Sequence, residues 1–181
     1  MPDIATMEPT TQVINQELRT ARAFTGEISH EQIQLVTFKL GSEEYGVDIM
    51  KVQEIIKMQK ITQVPNAPDF MKGLLNLRGK VIPVIDIRRR FHLESGLDME
   101  QTRIIVMDIG GQIVGITVDS VSEVLRLPQD KIEPVPATVT TVDTDYLKGV
   151  GRLEGRLLIL LDLDRFLSSQ TLSHLTHLRQ D

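Results

Sequence analysis

The residues able to do chemistry are few and scattered. The four histidines are His30, His92, His174 and His177. Only His174 and His177 lie close together, three apart, a spacing at which a helix offers two imidazoles to one metal ion. No third ligand stands nearby in sequence, so they are read as surface histidines. Asp162 and Asp164 sit where an apolar run ends and a helix is expected to start. As acid and base, or as Mg²⁺ ligands, they would need converging partners. As residues of a helix start they accept backbone N–H bonds and favour the helix dipole. Asp86 holds the matching place in an earlier segment, which favours capping. The glycine-rich stretch Gly149 to Gly155 has neither dinucleotide nor phosphate-loop spacing, and it precedes a strand where such loops precede a helix. There is no Gly-x-Ser-x-Gly elbow.

Composition narrows the classes further. The chain has no cysteine, which removes disulfides, thiolate metal sites and thiol nucleophiles together. No cofactor or metal is expected. The basic run Arg88-Arg89-Arg90 has no interleaved aromatics and is read as a solvated helix face with Arg stems over the fold. With a net charge of −5, nucleic-acid binding is not expected. The first residues, Met1-Pro2-Asp3-Ile4, do not resemble a signal peptide. No run reaches the roughly 18 apolar residues needed to cross a bilayer. The expectation is a soluble, cytosolic protein without direct membrane insertion.

The 181 residues suit one ordinary domain or two small ones. Hydrophobic residues make up 41% but aromatic ones only 4%, so the core must be aliphatic. Residues 1–31 are read as a polar, mobile arm with one marginal helix, carrying Val13, Ile14 and Leu18 at helical spacing and Thr11 as its cap. From Ile33 onward short β-rich runs alternate with Gly, Pro, Asn and Asp. Strands are expected at 33–40, 45–49, 80–87, 103–107, 112–118, 120–127 and 156–163. Val47, Ile49, Val52, Ile55 and Ile56 predict a short amphipathic helix after the second strand. Pro65 and Pro68 bracket a loop, and Pro83 must lie at an edge or a bulge. Residues 169–181 are read as a polar helical tail.

An internal repeat organises these runs. Gly41 and its neighbours match Gly110 and its neighbours at an offset of 69 residues, without a gap, through Val52/Val121, Glu54/Glu123 and Lys57/Arg126. After a small insertion the offset becomes 76, with Gly73/Gly149, Leu77/Leu153, Gly79/Gly155, Asp86/Asp162 and Arg89/Arg165. Glycines report backbone geometry, so their agreement carries weight. A period near seventy that occurs only twice is too long and too few for a solenoid. It implies two similar small β-barrels related by a pseudo-twofold, at about 32–98 and 99–168, with intertwining left open. The groove between them is the natural place for a partner.

The segment Gly73-Leu74-Leu75-Asn76-Leu77-Arg78-Gly79-Lys80-Val81-Ile82-Pro83-Val84-Ile85-Asp86-Ile87-Arg88 closely resembles the signature of CheW-like chemotaxis coupling proteins. So do Tyr45 to Ile49, Val52-Gln53-Glu54-Ile55 and Leu158 to Asp162. The likeness spans about residues 33 to 168. It implies a mainly β fold of two five-stranded SH3-like barrels, few short helices, and no turnover. It also implies two partners: the cytoplasmic domain of a chemoreceptor and the regulatory domain of a CheA-type histidine kinase. That kinase domain shares the double-barrel fold, so the two pair quasi-symmetrically; the protein is expected to be a monomer alone and a ring or array member with partners.

By this likeness Val52, Glu54, Val121 and Leu125 lie near partner surfaces, on two equivalent short helices. Core packing is an equal reading for Val52 and Val121. Asn76 belongs to the Asn-Leu-Arg-Gly segment of the signature. Gly73 and Gly79 permit a tight backbone before the strand. Arg78 matches Glu154 in the repeat, so the halves differ in charge there; it either bonds a partner surface, held by Glu54, or forms only a local pair with Glu54. The same coupling task in a twitching or other pathway, a small β-barrel enzyme and a nucleic-acid-binding barrel pair are the alternatives.

Overall fold

A computed structural model describes residues 9–23, 32–90, 100–136 and 146–166. The first half forms α1 (Pro9–Ala23), β1 (Gln32–Leu40), β2 (Glu43–Asp48), a 3-10 turn (Ile49–Lys51), β3 (Val52–Lys57), β4 (Met71–Leu77), β5 (Lys80–Asp86) and α2 (Ile87–Arg90). The second forms β6 (Arg103–Ile109), β7 (Gln112–Val118), β8 (Ser120–Pro128), a 3-10 turn (Gln129–Lys131), β9 (Ile132–Glu133), β10 (Leu147–Leu153), β11 (Arg156–Leu161) and α3 (Leu163–Phe166). The expected polar tail lies outside the described residues.

The strands form two sheets, ordered β8-β1-β2-β11-β10-β9 and β3-β6-β7-β5-β4. Neither sheet belongs to one half of the chain. The β1–β2 hairpin joins β8 to β11, while β6–β7 joins β3 to β5. The halves at 32–98 and 99–168 therefore separate the repeats in sequence but not the sheets in space. The cause is local. Only three residues separate β2 from β3, and Asp119 alone separates β7 from β8. Asp119 alone is too short to close a hairpin, and the 3-10 turn at Ile49–Lys51 carries the chain onward, so each strand passes into the other sheet instead of pairing with its predecessor.

The exchange is reciprocal, residue by residue. β2 pairs with β11 in parallel at Gly46 and Leu160. β7 pairs with β5 in parallel at Gly115 and Val84. Both contacts are the same contact under the two repeat offsets. A Cβ on Gly115 would stand 2.9 Å from Cγ2 of Ile104. The bulge between Val52 and Glu54 against β6 recurs between Glu123 and Val121 against β1. The sixth strand, β9, corresponds to the isolated bridge from Thr62 to Leu74. Each sheet thus closes into a five-stranded SH3-like barrel with one extra bridge.

Three apolar clusters follow from this layout. Ile56, Leu75, Leu77, Ile82, Val84, Ile104 and Val106 fill one barrel. Leu35, Leu127, Leu158 and Leu160 fill the other. The largest cluster lies at the seam and mixes Val36, Phe38, Val47 and Val52 with Ile105, Met107, Ile116 and Val118. Phe38 and Tyr45 stack there with ring centroids 6.0 Å apart. Burial pushes the Tyr45 phenol up, helped by the charge of Glu43, so it stays protonated.

Several expectations change. Residues 52–56 are the strand β3, not a helix; the strand expected at 120–127 is present as β8, Ser120–Pro128, so Val121 and Leu125 do not lie on a short helix either. Residues 71–77 and 147–153, assigned no element above, are strands. Pro83 lies at neither an edge nor a bulge: it is buried inside β5, an interior strand, in register with Leu74 of β4, and the parallel ladder with β7 starts one residue later at Val84. Arg88 is not solvated: its Nε donates to Asp119 at 2.7 Å, and both side chains are largely buried. Asp119 also accepts from the Gly41 N–H at 2.7 Å, tying α2 to the β1–β2 turn. Thr11 does not cap α1. The helix opens at Pro9, whose fixed φ suits a first turn, and Thr11 is buried inside it.

The described part of the arm is also docked. Ile14 and Leu18 of α1 are both 2% exposed and join the seam cluster. Each such burial contributes about 1.5–3 kcal/mol. A lone helix of this length is marginal in water, so α1 owes its order to this contact.

Two stability predictions follow from these contacts. At Gly73, φ is +151° and an added Cβ would lie 2.2 Å from the Thr62 carbonyl oxygen. Gly73→Ala should cost about 3 kcal/mol or more in chemical denaturation. Gly79→Ala, with open space around its Cβ, should cost about 1–2 kcal/mol from its φ of +83° alone. Equal losses would contradict the close approach. Asp119→Ala should cost about 3 kcal/mol by stranding the Arg88 charge, and Arg88→Met combined with Asp119→Leu should restore most of it.

Candidate partner interface

The sequence-derived site residues divide into those brought together at one surface and those spent on packing. Asn76, Arg78 and Gly79 meet at the β4–β5 turn. The turn has two central residues, Arg78 at φ +50° and Gly79 at φ +83°, the geometry of a type I′ hairpin. The Asn76 side-chain oxygen accepts from the Gly79 N–H at 3.1 Å and pins the turn. Arg78 then reaches across the open side of the barrel. Its guanidinium donates to the Glu54 carboxylate of β3 at 2.6 Å. β3 and β4 stand at opposite ends of their sheet, so this pair links the two ends of the curled sheet.

The counterpart in the other barrel is wired differently. At the turn between β10 and β11, only Gly155 has positive φ and the preceding residue is Glu154. There Arg156, at the start of β11, pairs with Glu123 and lies 3.6 Å from Glu44. Its guanidinium is held charged mainly by the hydrogen bond it donates to Glu123. Glu123 and Glu54 are repeat partners. One acidic position is thus met by a turn-tip arginine in one barrel and by a strand arginine in the other.

The remaining candidates sit elsewhere. Val52 is 0% exposed in the seam cluster, the core reading of the two. Val121, its repeat partner, is partly buried against the same cluster. Leu125 packs against the interior of its own barrel, as its partner Ile56 does. Gly73 is buried and serves the backbone approach to Thr62. None of the four lies on a helix.

Two surface residues were not singled out from sequence. Val81 of β5 is 50% exposed and Leu157 of β11 is 60% exposed. They are repeat partners at the offset of 76, each one residue after the start of its strand. The available signal was the repeat itself, which places an outward apolar side chain at the same point of both barrels.

The polar candidates for chemistry have structural tasks. Asp162 accepts from the Arg165 N–H at 3.4 Å, and Asp86 accepts from the Arg89 N–H at 3.3 Å. Asp162 and Asp86 are therefore the caps expected of them. Asp164 instead pairs with Lys51 at 3.0 Å, and this bond holds the ammonium charged beyond its usual range. Among the described residues there is no cluster of three or more metal-binding side chains. All four histidines lie outside the described residues. No helix among the described residues is long and apolar enough to cross a membrane.

Comparison with known proteins agrees with this architecture. The family model of the CheW-like domain matches residues 34–171. The chain is 43% identical over 156 residues to the chemotaxis protein CheW of Klebsiella aerogenes, covering 86% of this chain and 93% of that one. It is 37% identical over 156 residues to CheW of Treponema pallidum, covering 83% and 91%. The crystal structure of the scaffolding protein TtCheW from Thermoanaerobacter tengcongensis matches with a TM-score of 0.70 and 38% identity, covering 77% of this chain and 94% of that one. With the family model matching most of the chain and the paired barrels shared with a solved relative, the chain belongs to the family of CheW-like chemotaxis scaffold proteins.

Proposed function

We propose that the protein is a non-catalytic coupling scaffold in the cytoplasm. It joins the cytoplasmic tip of a chemoreceptor to the regulatory domain of a CheA-type histidine kinase. The backbone of Arg78 is the observation that carries this reading. A left-handed conformation costs a non-glycine residue about 1–2 kcal/mol. The Arg78 side chain is 53% exposed, and an exposed ion pair returns less than about 1 kcal/mol. Glycine or asparagine would serve this turn at lower cost. Strain that stability does not repay points to a task for the side chain. Fixed by Glu54, the guanidinium presents its free donors outward, ready for a carboxylate or carbonyl of a partner.

The paired apolar residues support the second partner. Val81 and Leu157 give two surfaces of similar shape on opposite barrels. A kinase domain built on the same double barrel meets such surfaces quasi-symmetrically, one at each side, which generates rings or arrays by alternation. The pathway served, flagellar or twitching, does not alter this geometry.

Arg78→Asn tests the first contact, because asparagine tolerates the left-handed backbone. Stability should stay within about 1 kcal/mol of the parent while binding of a receptor cytoplasmic fragment weakens about tenfold or more. Unchanged binding by a folded variant would remove Arg78 from the interface. Val81→Asp and Leu157→Asp should each leave thermal unfolding nearly unchanged. Each should reduce retention of the kinase regulatory domain in a pull-down, or block ring growth beyond one pair. If both variants assemble as the parent does, the paired surfaces have no such role.

A further inference from the structure

We infer that α1 is a displaceable self-ligand, occupying the seam groove into which a helix of the partner docks. The inference rests on the coupling role proposed above and adds its regulation. α1 lies before the segment matched by the family model, which begins at residue 34. Among the described residues it also has no counterpart in the second repeat. Its position is nonetheless specific. It packs across β3, β8 and the 3-10 turn at Ile49–Lys51. β3 and β8 are repeat-equivalent end strands of the two sheets. They carry Glu54 and Val52 on one side and Val121 and Leu125 on the other.

The contact is that of a helix in a groove. Thr11, Ile14 and Leu18 form the buried stripe, spaced by three and four, while Val13 on the other side is 54% exposed. Between the two apolar anchors, Asn15 does what an adjacent strand would do. Its amide nitrogen donates to the Ile55 carbonyl at 3.1 Å, and its oxygen accepts from the Ile55 N–H at 3.0 Å. β3 is the end strand of its sheet, so these two backbone groups lack a ladder partner without Asn15. The groove therefore reads a definite pattern: an apolar residue, an amide next to it, and a second apolar residue four positions after the first. Any amphipathic helix carrying Asn or Gln beside such a pair satisfies the same atoms.

Among the described side chains, Ile14, Leu18, Thr11 and the Asn15 amide seat α1, and its helicity depends on docking. Such a contact is reversible. While α1 is seated, a partner helix is excluded from β3 beside Glu54, and apparent affinity falls by the fraction of molecules in which the groove is open. Displacement of α1 is then coupled to arrival of the partner.

The native chain is free of cysteine, so labels go only where they are placed. Spin labels on Val13→Cys of α1 and on Asp130→Cys, beyond β8, report whether α1 is seated in the full-length protein. Both sites are exposed. Adding a helical receptor cytoplasmic fragment should lengthen and broaden the label distance. In unlabelled protein, Leu18→Asp should tighten binding of that fragment about tenfold, and Asn15→Ala by a smaller factor. An unchanged label distance with fragment bound overturns the inference. So does a folded Leu18→Asp variant whose affinity is equal or weaker. Should Leu18→Asp fail to fold, the label distance alone decides. Fragment that binds neither parent nor variants sinks the coupling role, and the self-ligand with it.

Discussion

The parallel pairing of β2 with β11, and of β5 with β7, is the constraint on which the molecule depends. Each pairing joins a hairpin of one repeat to a hairpin of the other. The chain therefore has no half that closes a barrel alone. Gly46 and Gly115 stand at the two crossings, where a side chain would meet leucine or isoleucine atoms of the opposing strands. Once the hairpins are exchanged, the apolar faces of both barrels meet along a shared seam, the largest cluster in the molecule. An aliphatic core with almost no aromatics tolerates this, since β-branched side chains pack well on pleated surfaces from either side. Folding the second half is thereby a condition for folding the first.

On this symmetric frame the polar residues are deliberately unequal. The Glu54 and Glu123 positions coincide under the repeat, yet the arginine that meets each comes from a different place. Arg78 is lodged at a turn tip with its head half in solvent. Arg156 lies on a strand between two glutamates. Two surfaces with the same backbone shape and different charge can distinguish partners that share one fold, because a charge juxtaposed wrongly costs more than a rim pair returns. The docked helix α1 adds a second asymmetry, since among the described residues the second repeat has no matching helix.

How far the sequence shows this can be argued from particular residues. The repeat was legible because glycines at 41, 73, 79, 110, 149 and 155 are fixed by backbone geometry, and those positions proved to have positive φ or a close approach. β3 was misread as a helix for a physical reason. The bulge at Gln53 inserts one residue into the ladder, so Val52, Ile55 and Ile56 fall at intervals of three and four. β4 and β10 were hidden because glycine weakens strand propensity where a neighbouring chain comes close. The docking of α1 was hidden because two of the residues that tie it down, Thr11 and Asn15, are polar. Strand exchange leaves no mark on hydrophobic periodicity at all. The same alternation serves a strand in either sheet, and only the short links at Ile49–Lys51 and Asp119 record the crossing.

The division between packing and surface also governs what a substitution reveals. Val52 and Gly73 belong to the family signature, yet one fills the seam and the other lets Thr62 approach. Changing either alters the shape of the β3 and β4 region, so lost partner binding would report the fold and the interface together. Arg78, Val81 and Leu157 are different, because each projects from a strand end or turn whose backbone is held by other residues. Asn76 stands between the two classes: its side chain is exposed but holds the Gly79 N–H, so under the proposed coupling role it would act only through the turn that aims Arg78. On the scaffold reading proposed above, positioning of this kind carries the mechanism, and it resides in the backbone of one two-residue turn as much as in the charges it carries.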